Sequence, residues 1–435
     1  MKIIIGEQEY TKLRNLRFSV ETDITAASMP INSFSADIAT EEGIQATGRA
    51  ELRDDLGQLW AKYSIKTLVE QRDGWTHLEA VSPLHNLDRL KTPAAMYSGE
   101  TTGTELGRLL TAGLDGVPFE FADQELEERT FSGYCPEQTY RERLLHICMA
   151  TGLHVRDYNT DKIILEDWPT EETLVPTEDT YRQPHPKVDK REDSTLGVKC
   201  TAYSFRAGTP QQGDKSVEAE GVTYIVTGQE VTLTKVPVVP EDASMEDVSS
   251  CMLIDTGNAD AVLERLAQYY FYPTKASFAC INNHSYWAGD KLTAPTGDDN
   301  LTTGFAQRLD YRFGLQAMSQ VELVGCQDAD TAKLTVKYVW DGINLGKNVY
   351  HLPMGYTYRI ENPYLDKKMN QHRYIFRPLT SEVSGTLTQK TTVTVEYAVA
   401  LDLHKKVLKI LIVDEVHVEE RQDSDGNTVR VAVIG

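Results

Sequence analysis

The side chains with the most reactive chemistry in this sequence are a histidine and a cysteine two positions apart, His146 and Cys148. A thiol nucleophile and its general base must come within hydrogen-bonding distance to react. The surrounding pattern predicts a helix, and side chains two positions apart on a helix point in different directions. We therefore do not expect this pair to be catalytic.

The cysteines are scattered, with no C-x-x-C pair and no regular spacing: Cys135, Cys148, Cys200, Cys251, Cys280 and Cys326. The apolar run at residues 1–5 is too short for a signal peptide, and no later run approaches the ~18 apolar residues of a membrane span. We expect a chain that is cytosolic when made, with its cysteines as buried free thiols.

Several segments contain residues of the kinds that bind metals or ligands. His284 and His351 each lie near an aromatic residue, and we expect structural or surface histidines rather than metal ligands. Residues 423–427 resemble a calcium loop, but the glycine comes too early and no bidentate glutamate follows, which favours a hairpin turn. The acidic run 125–128 is typical of a solvated face. The aromatic run 269–272 is a candidate platform for a sugar or peptide, but its helical position favours packing in the core or against a neighbouring subunit.

The motifs of common catalytic sites are missing from the sequence. It has no H-E-x-x-H, no G-x-S-x-G, no G-x-x-x-x-G-K-(S/T) and no strand-linked G-x-G-x-x-G. We therefore predict no catalytic residue, no cofactor and no bound metal, and a protein that is not an enzyme.

The length of the chain limits the number of domains, and its net charge limits the kinds of partner it can bind. A chain of 435 residues exceeds one compact core, and domains of roughly 100–200 residues suggest about three or four of them. The net charge of -21, from 44 basic and 65 acidic residues, argues against a nucleic-acid-binding surface or an anionic membrane partner. A soluble acidic protein with no special use for its charge remains the alternative.

The elements that would position these residues are clearest between residues 131 and 168. A short strand and a turn lead to Pro136, which is predicted to begin a helix with one apolar face. Gly152 ends that helix. Two apolar runs, 153–155 and 163–165, then form a predicted β-hairpin. This strand, helix, glycine and hairpin pattern resembles the middle region of the hub proteins of phage tails and phage-tail-like injection machines.

The segments on either side extend the resemblance. Residues 1–90 alternate in short strands typical of a barrel. In residues 91–168, Thr102 to Glu105 has capping-box spacing before a second predicted helix that ends at Gly113. The prolines of residues 169–190 indicate a linker.

Residues 191–326 contain more alternating strands and a helix predicted over 258–272, capped by Asn258 and stopped by Pro273. Its helix, strand, "G-D-x-L" turn at Gly289 and closing strands are similar to the second barrel of the hub proteins.

The resemblance implies a mainly β chain with an α+β insert: two tail-tube-like β-barrels flank a small α/β domain. In the family, paired barrels resemble tube subunits, so a homotrimer would present six barrels to a sixfold tail tube. It implies a structural protein at the distal tail end of a virion or phage-tail-like particle, joining the tube to a central spike or fibre. The implied partners are the tail tube protein, the spike or central fibre protein and the tape measure protein, with DNA passing through without specific binding.

Residues 333–400 resemble a mucin-binding-protein (MucBP) repeat, with a "G-x-x-Y-x-I" middle at Gly355 and a "T-V-x-V-x-Y" closing strand at Thr392. The resemblance implies a β-grasp-like fold and a host cell-surface glycan as a candidate ligand. The basic segment 366–373 departs from the family pattern and puts ligand binding in doubt. Residues 401–435 are predicted to add further strands.

Two alternatives to the hub remain open. The first is a cell-surface or glycan-binding adhesin that uses the MucBP-like module, against which the absence of a signal peptide and a sorting signal counts. The second is a tail-associated peptidoglycan hydrolase, but the MucBP-like module and the final strands fill the region where a lytic domain would follow a hub.

Overall fold

The computed structural model of the chain describes residues 1–25, 27–39, 44, 48–71, 74–175, 180–181, 186–189, 195–235, 245–248, 251–272, 274–282, 285–295, 301–313 and 318–328, and beyond these the strands between residues 337 and 434. The chain is mostly β, which confirms the coarse fold class predicted from the alternating sequence.

The first part of the chain is built from strands whose apolar residues alternate with polar ones. In order they are β1 (Lys2–Ile5), β2 (Gln8–Tyr10), β3 (Leu13–Glu21), β4 (Ser33–Ala39), β5 (Arg49–Arg53), β6 (Leu59–Glu70) and β7 (Trp75–Val81). In β4 the side chains of Phe34, Ala36 and Ile38 are buried, as a period of two predicts. A 3-10 helix over Pro83–Arg89 follows, and the Ser82 hydroxyl accepts a hydrogen bond from its backbone.

Helices and short strands alternate in the next part. They are β8 (Lys91–Thr92), β9 (Ala95–Thr101), α1 (Thr102–Gly113), β10 (Phe119–Phe121), α2 (Gln124–Glu128), β11 (Thr130–Cys135), β12 (Gln138–Thr139), α3 (Tyr140–Thr151), β13 (Leu153–Arg156) and β14 (Ile163–Asp167). The predicted helix end at Gly152 is confirmed, with φ at +77°, and β13 and β14 form the predicted antiparallel hairpin.

Two predicted helix starts are wrong. Helix α3 begins at Tyr140 rather than Pro136, because Thr139 and Glu142 form a reciprocal capping box that satisfies the first free N–H groups. Helix α1 is capped by Thr101, whose side chain accepts the N–H of Thr104, so the predicted box at Thr102 is one residue late.

The following part contains the fourth helix. The elements are β15 (Glu172–Leu174), β16 (Thr180–Tyr181), β17 (Lys187–Asp189), β18 (Gly197–Ala207), β19 (Lys215–Ala219), β20 (Val222–Thr234), β21 (Met245–Asp247), α4 (Ala259–Tyr270), β22 (Lys275–Ile281), β23 (Lys291–Pro295), β24 (Leu301–Arg312) and β25 (Met318–Asp328). Asn258 precedes α4 as predicted, but its side chain bonds the preceding turn through Leu253 O and Asp255 N instead of the helix. Pro273 lies outside the described residues.

One long sheet contains both the first strands of the chain, β1–β7, and the later strands β22, β24 and β25. Its strand order is β22-β25-β24-β3-β4-β7-β6-β5-β1-β2, and β17 pairs with β22. The seam between early and late strands is the antiparallel pair β3 and β24, with Arg17 opposite Arg312 and Glu21 opposite Arg308. Strands from the two predicted barrels, residues 1–90 and 191–326, are therefore neighbours in one sheet.

Beneath the long sheet lies an aromatic cluster drawn from both ends of the chain. Tyr311 stacks on Phe18 at 5.6 Å, and Trp60 contacts Tyr311 at 4.9 Å and Trp287 at 5.5 Å. Such ring pairs add to the stabilisation from burial alone.

A second core lies around the helices. Its buried side chains come from α1, α3, α4 and β18, and examples are Leu106, Leu144, Leu266 and Val198. The predicted insert, residues 91–168, thus shares its core with residues that follow it.

By internal contacts the chain divides into two compact units. The first comprises residues 1–173, 182–292 and 303–327, and the second comprises 174–181, 293–302 and 328–435. No helix in the part of the chain that the structure describes is long and apolar enough to cross a membrane.

The strands after residue 337 belong to the second unit. They are β26 (Lys337–Trp340), β27 (Ile343–Lys347), β28 (Val349–Pro353), β29 (Tyr358–Glu361), β30 (Tyr374–Pro378), β31 (Lys390–Tyr397), β32 (Ala400–Leu401), β33 (Val407–Lys409), β34 (Val416–Gln422) and β35 (Thr428–Ile434). They pair as β28-β31-β30 and as β29-β35-β34, with β29 and β35 parallel. The β-grasp-like arrangement stays a prediction, and the segments 366–373 and 423–427 lie outside the described residues.

Candidate functional site

The loop of the β13–β14 hairpin is fixed to the long sheet through Tyr158. The Tyr158 ring is buried and stacks on Trp287 at 5.3 Å, and its hydroxyl donates a hydrogen bond to Ala288 O. The next residue, Asn159, donates its N–H to Trp60 O at 2.8 Å. We call this contact between the hairpin and the sheet the hairpin–sheet junction, and define it by residues 154–159, 166 and 287–290.

A buried carboxylate lies beside Tyr158 in the junction. Asp157 Oδ1 accepts a hydrogen bond from Asn32 Nδ2 at 2.7 Å, and the Tyr63 hydroxyl lies 3.4 Å away. Burial raises the pKa of Asp157 above its ordinary value, although these hydrogen bonds oppose the shift. The carboxylate therefore links the hairpin loop to two parts of the sheet domain.

A histidine and a second carboxylate lie on the two strands of the hairpin. The His154 ring is 3% exposed, stacks against Trp168 at 4.5 Å, and places Nδ1 3.5 Å from Glu166 Oε1. Arg156 Nε donates to the same Glu166 oxygen at 2.8 Å. Burial pushes the pKa of Glu166 up, but the neighbouring His154 and Arg156 outweigh it, so that its pKa is lowered.

The turn at Gly289 and Asp290 closes the junction from the other side. Gly289 has φ at +97°, and a Cβ there would lie 3.3 Å from His154 Cε1, so both the turn and the close approach require glycine. Asp290 Oδ2 accepts the N–H of Trp287 at 2.7 Å, and burial raises its pKa. This is the "G-D-x-L" turn of the sequence pattern, and its function in the fold is to receive the hairpin.

Perturbed carboxylates beside a histidine are also the ingredients of acid–base catalysis. Here Asp157 has its partner Asn32 across the junction, whereas Glu166 is paired within the hairpin and Asp290 within its own turn. The cavity that adjoins His154 has a volume of about 40 Å³. Sites for small-molecule ligands usually measure roughly 300–1,000 Å³. The arrangement is therefore suited to holding the hairpin on the sheet.

A second buried network lies around Arg143 of α3, whose side chain is fully buried. It donates to Pro93 O at 2.8 Å and Pro136 O at 3.0 Å, and lies 3.8 Å from the Glu105 carboxylate. Glu105 also accepts from Arg108 at 2.7 Å. Burial pushes the pKa of Glu105 up, but its hydrogen bonds outweigh that effect and lower the pKa. The network joins α1, α3 and the two proline loops.

Two arginines satisfy the free carbonyls at the C-terminus of α3. Arg265 of α4 donates to Met149 O at 2.7 Å, and Arg129 donates to Thr151 O at 3.0 Å. Positive charge is favourable at this end of a helix. Burial lowers the pKa of Arg265 to about 10. Helix α4 is thereby attached to the helix of the predicted insert.

The histidine and the cysteines that the sequence analysis singled out lie in environments that do not favour reactivity. Cys148 is buried in the helical core, where burial raises the pKa of its thiol to about 12, and burial also lowers the pKa of His146. No hydrogen bond between these two side chains is present among the described residues. All six cysteines are buried and unbridged, which confirms the predicted free thiols.

Of the other candidate residues from the sequence, some lie in described elements and the rest lie in segments outside the described residues. Tyr269 packs against the small core of Ile24, Phe305 and Val324, and Tyr270 packs against the helical core, which confirms core packing for the aromatic run. The acidic run lies in the short helix α2, exposed except for Leu126, as predicted. His284, the side chain of His351 and the turn at 423–427 lie outside the described residues. In the part of the chain that is described, no three His, Cys, Asp or Glu side chains form a group that could hold a metal ion.

Sequence reasoning missed the junction residues and the buried arginines. Arg143 and Arg265 have a detectable signal, because each stands among apolar residues on a core-facing side of a helix. Asp157 has none, because its partners Asn32 and Tyr63 are 125 and 94 positions away.

Comparison with known proteins gives matches to solved structures. No protein-family model and no curated protein matches the sequence. The 43 kDa tail protein of prophage MuSo2 from Shewanella oneidensis aligns over 74% of this chain and 97% of its own, with a TM-score of 0.50 and 9% identity. A prophage tail protein from Listeria monocytogenes EGD-e aligns over 74% of this chain and 93% of its own, with a TM-score of 0.49 and 11% identity. A tail protein from Neisseria meningitidis MC58 aligns over 74% and 95%, with a TM-score of 0.48 and 12% identity. At such identities the likeness to the Shewanella protein shows a shared fold and nothing finer.

Proposed function

We propose that this chain is a structural component of a phage tail or phage-tail-like particle, in which three copies form a hub. The hub joins a sixfold tail tube to a central spike or fibre at the distal end. The observation that carries the proposal is the fold shared with the Shewanella prophage tail protein across 97% of that protein. The hub-like order of segments in the sequence supports it independently.

The long sheet supports the proposal of a ring. Strands β1–β7 and β22–β25 are neighbours through the β3–β24 seam, and in the proposal they form two tube-like barrels side by side in one chain. Closed rings built from one protein obey rotational symmetry. Two tube-like barrels per chain match a sixfold tube when three chains assemble.

The same proposal specifies the binding partners of the chain and whether it is an enzyme. The tail tube protein binds one face of the ring, and the spike or central fibre protein binds the other, with the tape measure protein as a further contact and DNA passing without specific binding. The chain is not an enzyme in this proposal, since the junction carboxylates are used to hold the hairpin. The C-terminal part of the second unit, residues 328–435 with the MucBP-like segment, is an addition to the hub.

Native mass spectrometry of the full chain at micromolar concentration tests the proposal, alone and mixed with the tail tube protein encoded by the same element. We expect a trimer that binds tube protein in a three-to-six ratio. A chain that stays monomeric in both samples contradicts the hub and favours the adhesin, which needs no ring.

The hydrolase alternative has a separate readout. Incubation of the purified chain with peptidoglycan sacculi is expected to release no soluble muropeptides. Release that persists after Asp157→Asn and Asp290→Asn would place a lytic site elsewhere in the chain, and release abolished by them would make the junction catalytic.

A further inference from the structure

The outward face of the long sheet contains a groove where β24, β3 and β4 lie side by side. Its volume is about 350 Å³, and its polar lining consists of Arg17, Arg312, the hydroxyls of Ser19, Ser33 and Ser35, and the ion pair of Arg308 with Asp310. We call it the arginine groove and define it by Arg17, Arg312 and the three serines. This volume is within the range of ligand sites.

The register of the sheet places two positive charges directly opposite each other. Arg17 on β3 is the cross-strand partner of Arg312 on β24 and, on its other side, of Ser35 on β4. Directly opposite residues in an antiparallel pair have Cβ atoms about 5 Å apart, and like charges there destabilise the sheet. Within the described residues, neither guanidinium has a carboxylate or hydrogen-bond partner.

The neighbouring row of the same sheet shows the ordinary arrangement. Arg308 Nε lies 2.9 Å from Asp310 Oδ2, and the cross-strand partner of Arg308 is Glu21. Asp310 also accepts a hydrogen bond from the Ser19 hydroxyl at 2.6 Å. Carboxylates are not scarce in a chain with 65 acidic and 44 basic residues. The unneutralised pair is therefore specific to the row of Arg17 and Arg312.

Two adjacent guanidinium groups with hydroxyls beside them form a receptor for carboxylates. Guanidinium binds carboxylate through two parallel, charge-assisted hydrogen bonds, and serine hydroxyls can donate to backbone carbonyls. We propose that the arginine groove binds an acidic segment of a partner polypeptide, with its carboxylates on Arg17 and Arg312. This inference depends on the chemistry of the groove and goes beyond the proposed hub.

The choice of a polypeptide over other anions follows from shape and charge. An extended segment can supply carboxylates to both arginines and carbonyls to Ser33 and Ser35 of β4, since the Ser19 hydroxyl already donates to Asp310. A single inorganic anion fills only part of the groove. The net charge of -21 opposes the approach of every anion, and it opposes duplex DNA, with one charge per ~1.7 Å of its axis, more strongly than a short acidic segment. A segment that bridges Arg17 and Arg312 also links β3 to β24, so its binding stabilises the seam.

Fluorescence anisotropy of a labelled ten-residue peptide of alternating Glu and Ser, titrated with the full chain at low salt, tests the inference. We expect Arg17→Gln/Arg312→Gln to weaken binding about tenfold or more, because each lost contact is a hydrogen bond between charged groups. The matched control is Arg206→Gln/Lys215→Gln, which removes the same charge from exposed positions on β18 and β19. The control is expected to bind within about twofold of the parent, since distant surface charges are screened.

Thermal unfolding separates recognition from structure. Without peptide, Arg17→Gln/Arg312→Gln is expected to melt no lower than the parent, because the substitution removes a repulsion. With peptide, only the parent and the control are expected to gain stability.

Four results would overturn the inference: no peptide binding by the parent, equal weakening in the control, a lower melting temperature of the peptide-free groove variant, or equal displacement of the peptide by inorganic phosphate at the same concentration. Arginine-dependent binding of duplex DNA tighter than that of the peptide would assign the groove to nucleic acid instead.

Discussion

At the residue scale, the hairpin–sheet junction combines carboxyl groups whose pKa values are shifted in opposite directions by folding. Burial raises the pKa of Asp157 and Asp290, so the folded chain disfavours their charged forms. Glu166 has a lowered pKa because His154 and Arg156 more than offset its burial. The first two therefore reduce stability at neutral pH, whereas Glu166 adds to it.

Replacing Asp290 with asparagine tests this account. For a carboxyl whose pKa is raised by folding, stability is lost as the pH rises from the unfolded-state pKa through the folded one. The introduced amide side chain keeps an oxygen for the Trp287 N–H but has no charge. Asp290→Asn is therefore expected to be more stable than the parent at pH 7.5, with the gain shrinking as the pH falls toward about 4.

Urea unfolding at several pH values measures the difference. The matched control is Asp189→Asn, at an exposed position in β17, where the difference from the parent is expected to be small at every pH. A loss of stability at pH 7.5 in Asp290→Asn would mean that the charge itself is required by the junction.

The cysteines give a second prediction at this scale. Thiolates are the reactive form, and burial raises the pKa of Cys135, Cys148, Cys251 and Cys326 to about 12. The native chain is expected to react with a thiol reagent such as DTNB only as fast as it unfolds, and the urea-unfolded chain to release six equivalents rapidly. A fast fraction in native buffer would reveal an accessible thiol.

Residue environments were the least predictable part of the fold from the sequence. Gly152 was predictable because a helix stop depends on its immediate neighbours. Asp157, in contrast, is defined by Asn32, 125 positions away, and Ser19 bonds Asp310 across 291 positions. A single sequence has no local pattern that marks such pairs. The candidate junction was therefore invisible even though the turn that receives it was recognised.

At the element scale, helices α1 and α3 were predicted correctly in existence and end but not in start. Two threonines stand side by side at the start of α1, and either Thr101 or Thr102 has a hydroxyl suited to capping. The fold selects Thr101 because Thr102 is buried and bonds Glu127 O at 3.1 Å. The first residue of each helix thus depends on tertiary contacts, which the spacing of apolar residues in the sequence does not reveal.

Two glycines in helical segments lead to opposite predictions. Gly152 ends α3 with φ at +77°, so Gly152→Ala is expected to lower the free energy of unfolding by about 1 kcal/mol. Gly107 is inside α1 and a Cβ there would meet no atom within 4 Å, so Gly107→Ala is expected to raise it by about 0.5–1 kcal/mol. Paired urea denaturation curves measure both, and effects of the same sign would contradict the local account.

At the scale of the whole molecule, the β3–β24 seam is the feature that the sequence did not predict. The alternating strands indicated β-structure at both ends of the chain, but not that these strands are neighbours. Such pairing is set by packing of the aromatic cluster, in which Phe18 stacks on Tyr311. The shared core of α3 and α4 likewise connects segments that composition divides at residues 169–190.

The acidic balance of the molecule leads to a prediction about DNA. A protein gains affinity for DNA by neutralising phosphates with basic side chains, and this chain has 44 basic against 65 acidic residues. In a gel-shift assay at about 50 mM salt, we expect no retardation of duplex DNA at micromolar protein, which is consistent with the proposed ring through which DNA passes. Tight binding at low salt would contradict this prediction.

The last prediction concerns the C-terminal part of the second unit, which we regard as an addition to the hub. Strand β25 ends at Asp328, and the later strands pair among themselves, with β29 next to β35. A part with its own strand pairing can be removed at an exposed boundary without unfolding its neighbour. A chain that ends at Asp328 is therefore expected to be a soluble trimer that still binds tube protein.

A partial deletion provides the contrast for this experiment. A chain that ends at Lys409 keeps β29 but loses β34 and β35, so β29 is left with a free edge that favours aggregation. We expect size-exclusion chromatography with light scattering to show a trimer for the chain ending at Asp328 and aggregates for the chain ending at Lys409. If the chain ending at Asp328 aggregates or becomes monomeric instead, its truncation has broken contacts that the proposed trimer needs. The C-terminal strands would then be part of the ring.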